Sequence, residues 1–320
     1  MSSEPDSARD LIVDTDTLGI NDDALALHYL FAMARVPRLI TTVFGNVTAT
    51  ASAGHARALV RDHLLDIDVV RGCEQPLWWR GPVREGVREV LAALPEETYL
   101  ASLHPGNEGF WDTGIEDGPA PDALAAALTQ SQGADVLAIG PVTNIARALR
   151  QLAPSDQARH RLWISGGSIR TGNVTDHAEF NTFADPEALE ECLSARWQAV
   201  VMVPLEVLAA PRLVPAAVER IRRTGTPLGM ALDRLERESP RGESTDREPI
   251  WDVVAAALLA DGTLSCTKET GTVSVGTDLA HRGAIRFEQG DGTHHLVTHT
   301  DPDAVVERFE AAVSRPRSSS

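Results

Sequence analysis

Lysine is almost missing from this chain: Lys268 is the only one in 320 residues. The formal net charge is −17. A surface of that sign repels nucleic-acid polymers and anionic membranes, and no basic stripe offsets it. Cysteine is scarce as well. Cys73, Cys192 and Cys266 are widely spaced and suggest neither a disulfide framework nor a zinc site. No run of roughly 18 apolar residues suggests a membrane span. The N-terminal MSSEPDSARD lacks the apolar core of a signal peptide. A soluble, cytoplasmic protein is the expectation. Its partner would be a small neutral ligand, or one that comes with a cation, and neither a nucleic acid nor a membrane.

What is present is a chain 43% hydrophobic, enough for one large α/β domain. Strand-like apolar runs alternate with helical patterns. Leu11-Ile12-Val13 precedes a helix from Asp22, and Leu39 to Phe44 precedes one around Ala51 to Leu64. Ile67 to Val70, Asp135 to Ile139, Leu162 to Ile164 and Ala199 to Val203 continue the series. Fully apolar strands between helices predict a mainly parallel sheet covered on both faces, with the site beyond the carboxyl ends of the strands. The domain is expected over residues 11–314, with a flexible N-terminus (1–10) and a disordered tail (315–320). Pro76 to Asp117 reads as irregular structure over the site, and Glu236 to Glu248 as a mobile loop.

The chemistry concentrates in LIVDTDTLGINDDALAL, which holds Asp14, Asp16, Asp22 and Asp23 between a strand and a helix. Crowded carboxylates raise each other's pKa, and a hard divalent cation removes that cost. Asp14 and Asp16 are two apart, as on one face of a strand end. Asp22 and Asp23 fall at a helix N-terminus, which favours negative charge. An N-cap followed by a solvated loop is the plainer alternative. Several carboxylates on an irregular loop suit Ca²⁺ better than Mg²⁺.

The stretch resembles the N-terminal D-x-D…D-D signature of the inosine-uridine-preferring nucleoside hydrolases. TTVFGNVT (41–48), IGPVTNIARAL (139–149), GGSIRTGNVTDHAEFNTFADPEAL (166–189), EPIWDVVAAALL (248–259) and AHRG (280–283) are similar to later motifs of that family, in the same order. The resemblance implies a Rossmann-like nucleoside hydrolase fold. It implies hydrolysis of the N-glycosidic bond of ribonucleosides through an oxocarbenium-like transition state, and a dimer or tetramer. It implies Ca²⁺ held by Asp16, Asp23, Asp252 and the backbone carbonyl of Thr143. Asp22, Asn46 and Asn181 would bind the ribose near its 2′- and 3′-hydroxyls, and Asn173 and Glu179 its 5′ side. Asp14 would support the cluster. Asp16 would double as general base for the water held at the cation. These residue types suit that chemistry, because carboxylates stabilise a cationic sugar and amides both donate to and accept from hydroxyls. Taken singly, Asn173 after Gly172 also fits a turn, Thr143-Asn144 an N-cap, and Asp252 a first-turn acid after Pro249.

Departures from the family pattern are informative. Five residues, Thr17 to Asn21, separate Asp16 from Asp22, where the compact form has three. Ile20 replaces a residue that is often acidic in the longer form, and Glu206 stands where Asp is more usual. Trp251 precedes Asp252, where pyrimidine-preferring relatives often carry His and the purine-preferring branch carries Trp. An indole there would stack on the base, so a purine ribonucleoside is the expected substrate. Trp78 and Trp79 fall near a region where that branch supplies a second stacking residue, although large aromatics are as readily core. His104, His177, His294 and His295 receive no role. Two rivals differ in class. A Ca²⁺-dependent nucleoside-binding relative would bind without turnover. A haloacid-dehalogenase-type phosphatase, suggested by Asp14-Thr15-Asp16-Thr17, would need a phosphate-binding Lys that only Lys268 could supply.

Overall fold

A computed structural model describes residues 9–81, 84–93, 116–238 and 248–315. The predicted apolar runs become strands, and all but the edge strand β3 (Asp68–Arg71) are buried along most of their length. In β1 (Asp10–Thr15) every residue after Asp10 is buried. Its alternating side chains go to opposite sides: Leu11 and Val13 join one apolar cluster and Ile12 the other. β2 (Leu39–Thr42), β3 (Asp68–Arg71), β4 (Ala134–Ala138), β5 (Arg161–Ser165) and β6 (Ala199–Val203) complete a parallel set. A two-stranded pair, β7 (Arg212–Leu213) and β8 (Glu248–Pro249), lies apart from the main sheet.

The strand order is the decisive feature. The main sheet runs β10-β9-β11-β6-β5-β4-β1-β2-β3. Its parallel core therefore reads 3-2-1-4-5-6, the doubly wound order, with a switch point between β1 and β4. A crevice opens at such a point beyond the carboxyl ends, and the carboxyl end of β1 is where Asp14 and Asp16 sit. The C-terminal strands are the part that the apolar runs did not announce. β11 (His294–Thr300) adds in parallel to β6, whereas β9 (Cys266–Val275) and β10 (Ile285–Gln289) continue antiparallel. β9 alternates exposed and partly buried residues, so it gives no continuous apolar signal.

Two helices carry the acids. α1 (Asp22–Ala32) is buried on most of its surface, and Asn21 caps it by accepting from Ala24 N. The helix Trp251–Ala260 is buried from Asp252 to Leu258 and packs directly on α1. Their N-terminal ends place Asp22, Asp23 and Asp252 side by side. α2 (Ala49–Asp62) follows β2, with Thr48 as its cap. No helix among the described residues is long and apolar enough to cross a membrane. Residues 94–115, which include His104, most of the mobile loop expected at Glu236 to Glu248, and both chain ends lie outside the described residues.

Behind α1, His28 is 2% exposed and its Nδ1 lies 2.7 Å from His63 Nε2. Burial, then the neighbouring His63, pushes the His28 pKa down to about 3. The unfolded chain binds the proton near pH 6.5, so this residue's contribution to stability is complete above that pH. It is lost as pH falls from about 6.5 toward 3, by roughly 2 kcal/mol at pH 5. His28→Gln is expected to show a smaller drop in melting temperature between pH 7 and pH 5 than the parent. Parallel melting curves would assign the acid sensitivity elsewhere.

Candidate active site

The carboxyl end of β1 and the loop to α1 form the floor of a cavity. It is lined by Asp16, Asp22, Asp23, Asn46, Ile139, Ser165, Asn173, Glu179, Phe180, Asn181, Leu205, Leu208, Trp251 and Asp252. Residues from six distant stretches thus meet at the sheet's switch point. The loop Thr17 to Asn21 closes on itself. Asn21 N donates to Leu18 O, and Asn21 Oδ1 accepts from Leu18 N and Ala24 N. Gly19 takes a positive φ of 57°, which glycine adopts without strain. Asn21 Nδ2 also donates to Asp23 Oδ2 at 2.9 Å. The longer loop therefore still delivers its acids to the site.

The four carboxylates differ in their partners. Asp23 is held on both oxygens: Thr15 Oγ1 and Asp16 N donate to Oδ1, and Asn21 and Asn46 donate to Oδ2. Asp16 Oδ2 accepts from Asn46 N at 2.6 Å, while Asp16 Oδ1 is buried with no hydrogen-bond partner among the described residues. Carboxylate oxygens of Asp22, Asp23 and Asp252 lie within 4.8 Å of one another. Gly45 and Gly140 flank Asp16. A Cβ at Gly45 would stand 1.9 Å from Asp16 Oδ2, and one at Gly140 would stand 3.0 Å from Oδ1.

Burial raises the pKa of all four acids, and the charge of neighbouring acids adds to it at Asp16, Asp23 and Asp252. Asp23 is pushed up to about 7 by burial and then by Asp22. Asp16 and Asp252 are raised well above the usual carboxylate range by burial first, then by Asp23 for Asp16 and by Asp22 for Asp252. Asp22 is raised by burial. Carboxylates crowded at the end of β1 and at two helix N-termini, buried at Asp16, Asp23 and Asp252 and partly buried at Asp22, call for a positive partner, and no Lys, Arg or His lines the cavity among the described residues. An all-oxygen donor set with a bare buried oxygen fits a hard divalent cation.

Opposite the acids lie groups suited to hydroxyls. Asn181 Nδ2 donates to Ser165 O, and Asn181 Oδ1 is buried without a hydrogen-bond partner among the described residues. Asn173 Oδ1 accepts from Phe180 N at 3.0 Å. Glu179 accepts from the backbone N–H groups of Gly167, Asn181 and Thr182, capping the short helix Phe180–Ala184. Burial raises the Glu179 pKa against those donors. The remaining wall is apolar: Ile139, Phe180, Leu205, Leu208 and the Trp251 indole.

The chain matches the inosine-uridine preferring nucleoside hydrolase family over residues 11–307. It belongs to that family. It is 34% identical over 219 residues to the non-specific ribonucleoside hydrolase RihC of Escherichia coli O1:K1, covering 67% of this chain and 68% of the relative. Among solved structures, an inosine-guanosine nucleoside hydrolase superposes with a TM-score of 0.75 at 22% identity, covering 97% of this chain and 99% of that one. A purine-preferring ribonucleoside hydrolase from Gardnerella vaginalis gives 0.74 at 22% identity, covering 96% and 98%. This nucleoside hydrolase is therefore an N-ribosyl hydrolase of a metal-dependent family whose members act on small-molecule nucleosides, and it carries an acidic cluster at its site.

In this nucleoside hydrolase two expected base contacts do not reach the cavity. Trp78 and Trp79 are 3% and 5% exposed and pack in a third apolar cluster with Phe44, Phe180 and Phe183. Trp78 Nε1 donates to Ala184 O, and the Arg282 guanidinium lies 5.2 Å from its ring centroid. Trp79 carries Arg84 over its ring at 4.0 Å. Their stacking partners are the protein's own cations, so they serve the core. Thr143 is fully buried below the site, and its hydroxyl donates to Asp185 Oδ2 at 2.5 Å. Asp14 also lies behind the cavity, accepting from Thr41 Oγ1 at 2.6 Å and Asn144 Nδ2 at 2.8 Å. Asn21, Ser165, Leu205 and Leu208 were not singled out in the sequence. Of these only Asn21, three residues before Ala24, carried a signal, that of an N-cap.

Proposed function

We propose that the chain is a Ca²⁺-dependent hydrolase of purine ribonucleosides. The observation that carries this is the pairing of the Asp16, Asp22, Asp23 and Asp252 cluster with a Trp251 wall across one cavity. Asp16, Asp23 and Asp252, with the Thr143 carbonyl, would hold the cation. Its bound charge supplies a grip on the vicinal diol and lowers the pKa of water. Asp22, Asn46 and Asn181 hold the 2′- and 3′-hydroxyls, and Asn173 and Glu179 the 5′-hydroxyl. Asp16 takes the proton of the attacking water at Oδ1, the oxygen with no hydrogen-bond partner among the described residues. The carboxylates face the sugar ring as positive charge develops on it. Trp251, with Leu205, Leu208, Ile139 and Phe180, receives the base, and an indole overlaps a purine more fully than a pyrimidine.

A relative named as non-specific supplies no base preference, so the cavity itself argues for purines. The test is a panel of inosine, guanosine, adenosine, uridine, cytidine and 2′-deoxyinosine, following base release with and without a chelator. Purine ribonucleosides are expected to exceed pyrimidines by at least about tenfold in kcat/KM. The 2′-deoxy substrate should lose about 100-fold or more, because the site's diol partners are left unpaired. Chelation should abolish turnover, and Ca²⁺ should restore it better than Mg²⁺. Equal turnover of uridine and inosine overturns the purine reading. Chelator-resistant turnover overturns the cation's role, and binding without base release overturns catalysis.

A further inference from the structure

Glu206, which replaces a more usual Asp, has no part in the chemistry above. The helix Leu205–Leu208 begins just after β6, and Leu205 and Leu208 line the base side of the cavity. Between them, Glu206 Oε1 gathers three donors: Ser168 Oγ at 3.0 Å, Ile169 N at 3.0 Å and Arg170 N at 2.7 Å. Leu205 N donates to Gly167 O at 2.8 Å. Residues 166–170 form the arm that runs from β5 toward Asn173. The arm leaves the strand through Gly166 and Gly167, with φ of +142° and +79°. Its root, Gly166 to Ser168, is buried, but its outer part faces solvent: Ile169 is 40% exposed and Arg170 and Thr171 are exposed. Farther on, the chain closes on itself. Asn173 N and Val174 N donate to Ala178 O, and Phe180 N donates to Asn173 Oδ1. Asn173 therefore rides on a small loop at the end of an arm whose root is tied to Val203 O and Glu179 and whose outer part, residues 168–170, is tied to Glu206.

We propose that Glu206 is a positioning residue that fixes the 168–170 arm to the base-side helix and so sets the placement of Asn173 at the 5′ end of the ribose. This rests on the reading that Asn173 and Glu179 meet the 5′-hydroxyl. One oxygen accepting from two successive backbone N–H groups and a hydroxyl determines where the arm lies, and a misplacement of about 1 Å at a contact group can cost 100-fold in rate.

The test compares inosine with 5′-deoxyinosine in the parent, E206A, E206Q and E206D. E206A is expected to lose about tenfold in kcat/KM on inosine, mainly in kcat, and less than about twofold on 5′-deoxyinosine. E206Q keeps the acceptor oxygen and is expected to stay within about threefold of the parent on both. E206D, shorter by one methylene, should fall between them. An equal loss on both substrates, or failure of Gln to rescue, overturns the positioning role. A parent enzyme that turns over both substrates equally overturns the 5′ assignment instead. In that case a Gln-rescued loss on inosine still supports Glu206, and unchanged inosine turnover in E206A overturns it.

Discussion

Asp16→Asn lowers kcat/KM on ribonucleosides by at least about 10³-fold while leaving the fold intact. The expectation follows from how the two oxygens are used. Oδ2 accepts from Asn46 N, Oδ1 is buried with no hydrogen-bond partner among the described residues, and Asp16 lines the cavity. An amide matches the shape, but it neither accepts a proton nor offers a second anionic oxygen. Loss of a general base costs about 10² to 10⁴ in rate, and the missing charge at a developing sugar cation adds to that. Because Gly45 and Gly140 leave the side chain one place to lie, the variant should show no compensating rotamer. Base release and far-UV circular dichroism on the same sample decide the matter. A folded Asp16→Asn enzyme within about tenfold of the parent would remove Asp16 from proton transfer.

Asn144→Ala destabilises the protein by about 3 to 5 kcal/mol, read as a shift of the urea midpoint. Asn144 is fully buried and ties three strand ends together. Its Nδ2 donates to Asp14 Oδ1 at 2.8 Å and to Thr42 O at 3.0 Å, and its Oδ1 accepts from Cys73 N at 2.8 Å. The change leaves three buried polar groups short of a partner, each costing about 1 to 3 kcal/mol. The Asp14 pKa is already pushed up to about 7 by burial, against the hydrogen bonds from Thr41 and Asn144. Removing one of those donors raises it further. Thr41→Val, which removes only the other donor to Asp14, should cost less. A loss below about 1 kcal/mol for Asn144→Ala would show that the strand ends hold without it.

The sequence made the parallel half of the sheet legible because β1, β2, β4, β5 and β6 are covered on both faces and read as unbroken apolar runs. It did not reveal the antiparallel edge. β9 and β10 mix exposed and buried residues without a continuous run. The acid cluster was readable from Asp14 to Asp23 because four carboxylates share one strand-to-helix loop. Asp252 came from family resemblance, since a single first-turn acid is ordinary; the packing of its helix on α1 brings it to the others. The Trp78-Trp79 pair shows the limit. Aromatic content near a site cannot say which way a ring faces, and here Arg84 and Arg282 occupy their faces. Leu205 and Leu208 gave no signal, because an apolar residue lining a cavity looks in sequence like one filling a core.

Gly45 and Gly140 bear on how this chain tolerates variation. Neither carries a side chain, yet the space beside each is already taken by Asp16. At Gly45 even the smallest side chain would evict the carboxylate, and at Gly140 it would press on the other oxygen. A catalogue of inactivating substitutions would therefore name residues 45 and 140 beside 16, and for the same cause. The permitted alphabet there has one letter, fixed by a neighbour's need for room.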